Sequence, residues 1–495
     1  MAKKKKEEVA ENQLSAFSEP VLDKLNIQNR MTDEQKNFVF FEGKESVILA
    51  ATAGAGKTAS SVQKLKELLN RGVDPSKIIF FSFTRAATEE LQKRIGRDDI
   101  KITTIHSFCM GLLAKMGKHK NISTFHDFIE WYKDTYKPAH NSTKEDKHEF
   151  YDVIGAMYED MDFLASSIAA FKLQSADNIK CKVPDFYEWY KKFLKEKRSR
   201  DFSDMLIEVR DCLREDKWLK MFKNKYEYIF VDEYQDTSTI QLQILLALNA
   251  QYYYLIGDRN QSIYGYSGAN CNMLEQMIKA RRPTIEMTLS INFRSDKDIV
   301  ENANKYSSLK AIAHSQENGD VNKTMLLSLD ELVEVLKEPG EVAILVRTNA
   351  VIKSMEYELL KRRIPMKYFN YISHSDMKNY KNGEISGNTK DKLKKLGGHY
   401  EREIDVFAFI ESNKDSKKFI TTIHKSKGRE FDTCVVVNSI APDVIDDNGF
   451  SKAFTEKQLK RLSFKLQDAD EEAKNIHYVG VTRSKHKLYF MIYDY

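Results

Sequence analysis

Short apolar runs alternate with longer amphipathic stretches along most of this chain, separated by polar turns that contain glycine or threonine. Ser46–Ala51 is an unbroken small and aliphatic run, read as a buried strand; a glycine loop follows, then a helical pattern from Lys57 to Asn70. Arg71-Gly72 and then Pro75 supply a helix stop. The alternation recurs at Ile78–Phe83 (strand), Arg85–Ile95 (helix) and Ile102–Ile105 (strand), then at Tyr228–Asp232, Tyr252–Asp258 and Ile285–Leu289. The second half repeats it with Val342–Val346, a helix from Val351 to Arg363, Thr433–Val437 and Leu488–Ile492. Apolar strands alternating with helices predict parallel sheets, so the fold class is α/β with two such domains in tandem.

Two stretches break the pattern. Lys115 to Arg200 is rich in aromatics and lysines and reads as a helical insertion in the first domain. Tyr371 to Lys418 is polar, dotted with glycines and without clear periodicity, and reads as a small insertion in the second or a mobile loop. The expected boundaries are a disordered tail over 1–30, a first domain over 31–116 and 201–284, and its insertion over 117–200. The second domain then covers 285–370 and 419–495, with its insertion over 371–418. On this reading a short linker replacing Ser373–Ser416 leaves the fold intact.

Composition narrows the function classes. With 495 residues, 42 % hydrophobic and 31 % charged, the chain has a globular composition and exceeds what one core usually organises. A net charge of +5 is too small to imply a polyanionic partner by itself. The five cysteines are scattered with no CxxC pair, which argues against a zinc site or a disulfide framework and fits a cytoplasmic, reducing compartment. No apolar run is long enough to span a bilayer, so no membrane partner is expected. Lys3 to Lys6, followed by Glu7 and Glu8, is read as a solubilising tail, with nuclear import or DNA binding as the alternatives.

The candidate chemistry lies in the turns. Ala51 to Thr58 (Ala51, Thr52, Ala53, Gly54, Ala55, Gly56, Lys57, Thr58) has P-loop spacing, with alanine at the first glycine position. Small residues let backbone N–H groups close around phosphates; Lys57 adds a point charge and Thr58 a hydroxyl for Mg²⁺. Asp232 and Glu233 end an apolar strand, where an aspartate can hold the metal and a glutamate can deprotonate an attacking water. Arg294 and Arg483 occupy parallel places in the second half and suit neutralisation of a transferring phosphoryl group, although either alone would be read as a solvated ion pair.

These strings, in this order, resemble the UvrD/Rep family of superfamily 1 helicases, from about Met31 to Tyr495. Thr32 to Gln35 resembles the adenine-reading glutamine motif, Phe81 to Ala87 motif Ia, and Thr103 to Ser107 the next DNA-facing motif. Val231 to Asp236 is similar to motif II, Ile256 to Ala269 to motif III, Asn292 to Ser295 to motif IV, Thr422 to Phe431 to motif V, and Tyr478 to Arg483 to motif VI. The resemblance implies two RecA-like motor domains, ATP and Mg²⁺ as cofactors, and a helicase moving 3′ to 5′ on single-stranded DNA and at single-/double-strand junctions. It assigns Gln35 and Phe293 to adenine, Glu430 to ribose and Gln261 to sensing the γ-phosphate. Ala53, Gly54, Ala55, Gly56 and Ala59 complete the nucleotide loop. Phe83, His106, Tyr264, Tyr266 and His424 are assigned to the strand; taken singly, each tyrosine would be read as a core aromatic.

The departures are Ala59 where the family often has arginine, Ser267 where motif III usually has arginine, and an insertion over 371–418 far shorter than the family's domain 2B. With motif VI so near the end of the sequence, the nuclease domain of larger relatives is not expected. The rival expectations are a translocase that remodels without unwinding and a nucleic-acid-binding scaffold with little ATPase.

Overall fold

The computed structural model describes residues 30–139, 141–159, 161–173, 184–264, 269–372, 374–382, 387–397, 399–400, 402–437, 471–491 and 493. Of the expected tail only Arg30 is included, and Tyr266 lies outside the described residues. Contacts divide the described residues into two units, one within Met1–Ala51, Gly56–Gly257 and Asn270–Leu289 and another within Thr52–Ala55, Asp258–Ala269 and Ser290–Tyr495.

The first unit is built on six strands: β1 (Ser46–Ala51), β2 (Ile78–Ser82), β3 (Lys101–Thr104), β4 (Tyr228–Asp232), β5 (Tyr252–Gly257) and β6 (Thr284–Leu289). They pair in the order β3-β2-β4-β5-β1-β6, all parallel. Strands β1, β2 and β5 are almost wholly buried, as their continuous apolar sequences require. Parallel registers such as Ala50 with Gly257 and Ser82 with Thr104 bring the turns after several strands to one edge, the carboxyl edge where α/β sheets take their ligands.

Strand β6 corrects one expected boundary. It runs beside β1 from Ser46/Thr284 to Ala51/Leu289, so the first unit extends to Leu289 rather than stopping at residue 284. Without β6, β1 would be a buried edge strand with unpaired backbone groups. The insertion contains helices Phe125–Tyr136, Lys144–Glu159, Met161–Leu173 and Pro184–Glu196 around their own aromatic core of Phe128, Trp131, Tyr190 and Phe193.

In the second unit, β9 (Asp320–Leu327), β10 (Val342–Val346), β11 (Lys418–Thr422), β12 (Phe431–Val437) and β13 (Ser484–Met491) pair as β11-β10-β12-β13-β9, again all parallel. A two-stranded ribbon, β7 (Ile291–Asn292) with β8 (Ile312–Ala313), stands apart from this sheet. Together the units form the two tandem RecA-like α/β sheets.

The stretch from 371 to 418 is not a mobile loop. It forms helices His374–Lys381, Gly387–Leu396 and Glu403–Ser412. Leu393, Leu396, Tyr400, Val406, Phe407 and Ile410 are buried in the same core as β10 and the Asn349–Lys361 helix. The Tyr400 hydroxyl donates to the Leu360 carbonyl (2.7 Å), and Tyr380 stacks on Phe407 at 3.9 Å. The charged residues that hid this periodicity occupy the outer faces of two-turn helices.

Candidate nucleotide and nucleic-acid site

In the first unit, β1 leads through the glycine loop into the Lys57–Asn70 helix, whose N-cap Gly56 is left-handed (φ 78°) and carries no side-chain cap. The helix N-terminus therefore presents its amides and its positive dipole end as an anion site. Lys57 Nζ lies 3.7 Å from the Glu233 carboxylate, and Gln235 Nε2 donates to the other Glu233 oxygen at 2.5 Å. Glu233 has a left-handed backbone (φ 51°), which costs a non-glycine residue roughly 1–2 kcal/mol and is a mark of functional sites. Asp232 is 7 % exposed and accepts from the Glu233 amide at 3.1 Å. Thr58 and Asp232 offer the hard oxygen donors that Mg²⁺ takes together with phosphate oxygens and water, so the residues fit a metal-bound nucleoside triphosphate.

Gln35 serves a local structure as well. Thr32 caps the Asp33–Val39 helix, and the Gln35 side-chain oxygen accepts from the Thr32 amide (3.1 Å), forming a capping box. Its amide nitrogen would lie 3.1 Å from a Cβ built on Gly56, which places Gln35 beside the phosphate loop. Ala59 is exposed on the first turn after the loop.

Phe83 and His106 line one cavity with Asp232 and Glu233. Thr104 caps the Ile105–Lys115 helix and fixes His106 in its first turn. Phe83 is 42 % exposed while Phe81, two residues earlier on β2, is in the core. Burial lowers the His106 pKa, so its ring is neutral at pH 7 and suited to stacking. Sequence reasoning missed Phe202, which is 45 % exposed and meets His106 edge to face at 5.6 Å. The available signal was an aromatic placed beside a capping aspartate, Asp201, where a helix start leaves it outside.

The second unit gathers another group. Arg483 is 1 % exposed. Its guanidinium donates to Val479 O (3.0 Å), Arg429 O (3.1 Å), Gln261 Oε1 (3.2 Å) and Thr482 Oγ1 (3.1 Å). Gln261 in turn donates to Asp258 (2.8 Å), which also accepts from the Tyr478 hydroxyl (3.2 Å); that hydroxyl accepts from the Ala53 amide at 3.4 Å. Asn292 Nδ2 donates to Ala53 O (2.8 Å), and the Phe293 amide to Gly54 O (3.0 Å). Gly54 (φ 73°) must be glycine on two counts, because a Cβ there would sit 2.8 Å from the Arg294 side chain. Asp258, Tyr478 and Asn292 were thus missed as supports of the Ala53–Ala55 segment and Gln261.

Arg294 and Glu430, to which the resemblance gave different tasks, are paired: Nε to carboxylate 2.8 Å, with a second donation from Arg294 to Thr482 O at 3.1 Å. Burial pushes the Glu430 carboxyl up, but Arg294 and Lys485 outweigh it and hold it below the ordinary value. Phe293 is 45 % exposed, its ring 4.8 Å from His314. Tyr264 is half-buried, edge to face with His424 (5.9 Å) and under the Lys427 ammonium (5.3 Å). His424 donates from Nε2 to Ile263 O at 3.2 Å, and burial dominates in lowering its pKa. Lys427 also donates to Gln261 O (2.7 Å), so the Tyr264–His424 pair and the Gln261–Arg483 pair share a backbone segment.

Comparison with known proteins agrees with this arrangement. The profile described as UvrD/REP helicase N-terminal domain matches residues 31–281, and the UvrD-like helicase C-terminal domain matches residues 403–495. The chain belongs to the UvrD/REP helicase family. The second match begins at the Glu403–Ser412 helix, in keeping with the place of that helix in the second unit's core. Among similar curated proteins, a probable DNA helicase II homolog of Mycoplasma pneumoniae is 30 % identical over 61 % of this chain and 45 % of its own length. A probable DNA helicase II homolog of Mycoplasma capricolum is 26 % identical over 71 % and 54 %. The ATP-dependent DNA helicase PcrA of Staphylococcus epidermidis is 28 % identical over 64 % and 48 %. This UvrD/REP family chain therefore spans about half the length of those relatives. Among the described residues no helix is long and apolar enough to cross a membrane.

Proposed function

We propose that this chain is an ATP-driven DNA helicase that moves along single-stranded DNA, 3′ to 5′, and separates the duplex at a junction. The observation that carries the reading is the cavity of the first unit, where the acidic pair Asp232–Glu233, the exposed Phe83 and the half-buried His106 line the same space. In this reading a change at the phosphate end is passed to the strand-facing end across that shared space.

In this reading the glycine loop, Lys57 and the open helix N-terminus bind the triphosphate of ATP, and Thr58 and Asp232 hold Mg²⁺, which supplies charge neutralisation at the phosphates. Glu233, aimed by its left-handed backbone and by Lys57 and Gln235, takes the proton of the attacking water. Gln261 and Arg483 stabilise phosphoryl charge, with Arg294 as a second cation. Gln35 and Phe293 hold the base and Glu430 the ribose. Phe83, His106, Tyr264 and His424 contact the strand, and Tyr266 is proposed with them on the resemblance alone. Stacking suits a stepping motor because every base offers a π-face.

Glu233→Gln tests the assignment. It is expected to retain ATP affinity and to lose nearly all turnover, and near-wild-type turnover would refute the role of Glu233. Unwinding assays on 3′-tailed, 5′-tailed and blunt duplexes test the rest. Strand-stimulated ATPase without strand separation on any of them would replace unwinding by translocation alone.

A further inference from the structure

Away from the cavity just described, the first unit has a second hollow of about 490 Å³ at the base of the helical insertion, a volume typical of ligand sites. Five cationic side chains line it, Lys118, Lys120, Lys197, Arg198 and Arg200, and no acidic residue does. Arg200 is the unusual member. It is only 3 % exposed, and its backbone ties the two ends of the insertion together, donating to Asn121 O (3.0 Å) and accepting from the Ser123 amide (2.9 Å). Its guanidinium donates to Glu208 (2.6 Å) and Lys118 O (2.7 Å), yet Nε is buried with no acceptor among the described residues. Glu208 offsets the charge of Arg200, but the buried Nε–H still lacks an acceptor, a cost that an acceptor brought by a ligand would relieve.

The hollow is aligned with the aromatic group. His106, Met110 and Ala114 are four residues apart on the Ile105–Lys115 helix and share one face; the first meets Phe202, and the other two line the hollow. Phe202 and Met205 repeat this relation on the Phe202–Cys212 helix, three residues apart, with Met205 lining the hollow. Along the helix axis, residues 106 to 114 span about 12 Å at 1.5 Å per residue, so a strand of a few nucleotides can touch both places.

We propose that this basic hollow holds backbone phosphates of the nucleic-acid strand whose bases meet His106 and Phe202, and that Lys120, Lys197 and Arg198 are its outer contacts. The inference rests on the reading of the chain as a nucleic-acid motor. Lys120 and Lys197 are exposed, so replacing both leaves packing untouched, whereas replacing Arg200 would remove buried bonds to Glu208 and Lys118 O.

The test uses the full chain with a non-hydrolysable ATP analogue at saturation and a fluorescent oligothymidylate, its affinity measured by anisotropy across a salt series. For Lys120→Ala/Lys197→Ala, the slope of log affinity against log salt is expected to fall by about 1.4, at ~0.7 per lost single-strand contact, and affinity at low salt by about ten- to a hundredfold. The thermal midpoint is expected to be unchanged. Arg198→Asn, which tolerates the left-handed backbone there (φ 48°), is expected to act in the same direction. An unchanged slope in the double variant, when the wild-type chain binds DNA, overturns the hollow as a strand site and leaves the motor reading standing. A wild-type chain that binds no oligonucleotide overturns both. Competition by dTMP that is lost in the double variant would assign the hollow to free nucleotides and overturn the strand.

Discussion

The sharpest consequence of the fold concerns the segment from 374 to 416, which looks dispensable in sequence and is built into the second unit's core. Met377, Leu393, Leu396, Tyr400, Val406, Phe407 and Ile410 are all at most 8 % exposed. At roughly 1.5–3 kcal/mol for each fully buried apolar side chain, removing them withdraws on the order of 10–20 kcal/mol. A domain has only about 5–15 kcal/mol of net stability. Replacing residues 374–416 by a Gly/Ser linker is therefore expected to abolish cooperative melting of the second unit, followed by tryptophan-independent far-UV circular dichroism, and to abolish ATP turnover with it. Leu396→Ala is the graded version: Leu396 is 0 % exposed, and a loss of about 2–5 kcal/mol is expected in urea titrations with an unchanged m-value. A linker variant that melts within a few degrees of the intact chain, or a Leu396→Ala cost below about 1 kcal/mol, would refute the reasoning.

Three further outcomes follow from the geometry. Arg483→Lys keeps a charge but cannot reach the Val479, Arg429 and Gln261 acceptors together, so hydrolysis is expected to fall at least about tenfold, towards the ~10³ typical of a lost arginine finger; single-turnover hydrolysis at wild-type rate would exclude a phosphoryl role. Tyr264→Ala is expected to weaken single-strand binding by about 1–3 kcal/mol with little sequence preference while basal ATPase survives, and loss of basal ATPase would mark this tyrosine as purely structural. Lys64, buried between the Phe41 and Tyr254 rings and donating to Phe41 O, has its pKa lowered to about 8, chiefly by burial. The unfolded chain then holds more protons between about pH 8 and 10.5, so stability relative to Lys64→Met must rise with pH across that window; paired melts showing a flat difference would contradict the burial.

What could be read from the sequence was chemistry that fixes residue type and spacing. Lys57, Asp232 and Glu233 stand out because the roles proposed for them, at phosphate, a divalent cation and a water proton, each accept few substitutes, and strand-end positions are visible in the apolar pattern. Partnership was not legible. Gln261 and Arg483 are 222 residues apart, and nothing in either motif says that one oxygen of Gln261 goes to the guanidinium while its amide goes to Asp258. The same holds for β6, whose alternating pattern identifies a strand but not its neighbour; only the need of β1 for a second hydrogen-bonded edge decides it.

The helices between 374 and 412 were missed for a different reason, and it bears on how small insertions should be read. Val406, Phe407 and Ile410 sit at i, i+1 and i+4, and Leu393 and Leu396 at i and i+3, which is helical spacing in both cases. Each helix has 8 to 10 residues, too few turns for the period to stand out against lysines that face away from the core. Such helices have little stability alone, so their order comes from the surface they cover. That surface is the Asn349–Lys361 helix, where the Glu356 carboxylate accepts from the Phe369, Asn370 and Tyr371 amides and turns the chain onto the core. Burial holds that carboxyl above its ordinary value against the pull of the amides, and the turn that closes over Glu356 supplies the partners a buried carboxyl needs. The signal in the sequence was therefore a glutamate among apolar residues on the preceding helix, not any feature of the insertion itself.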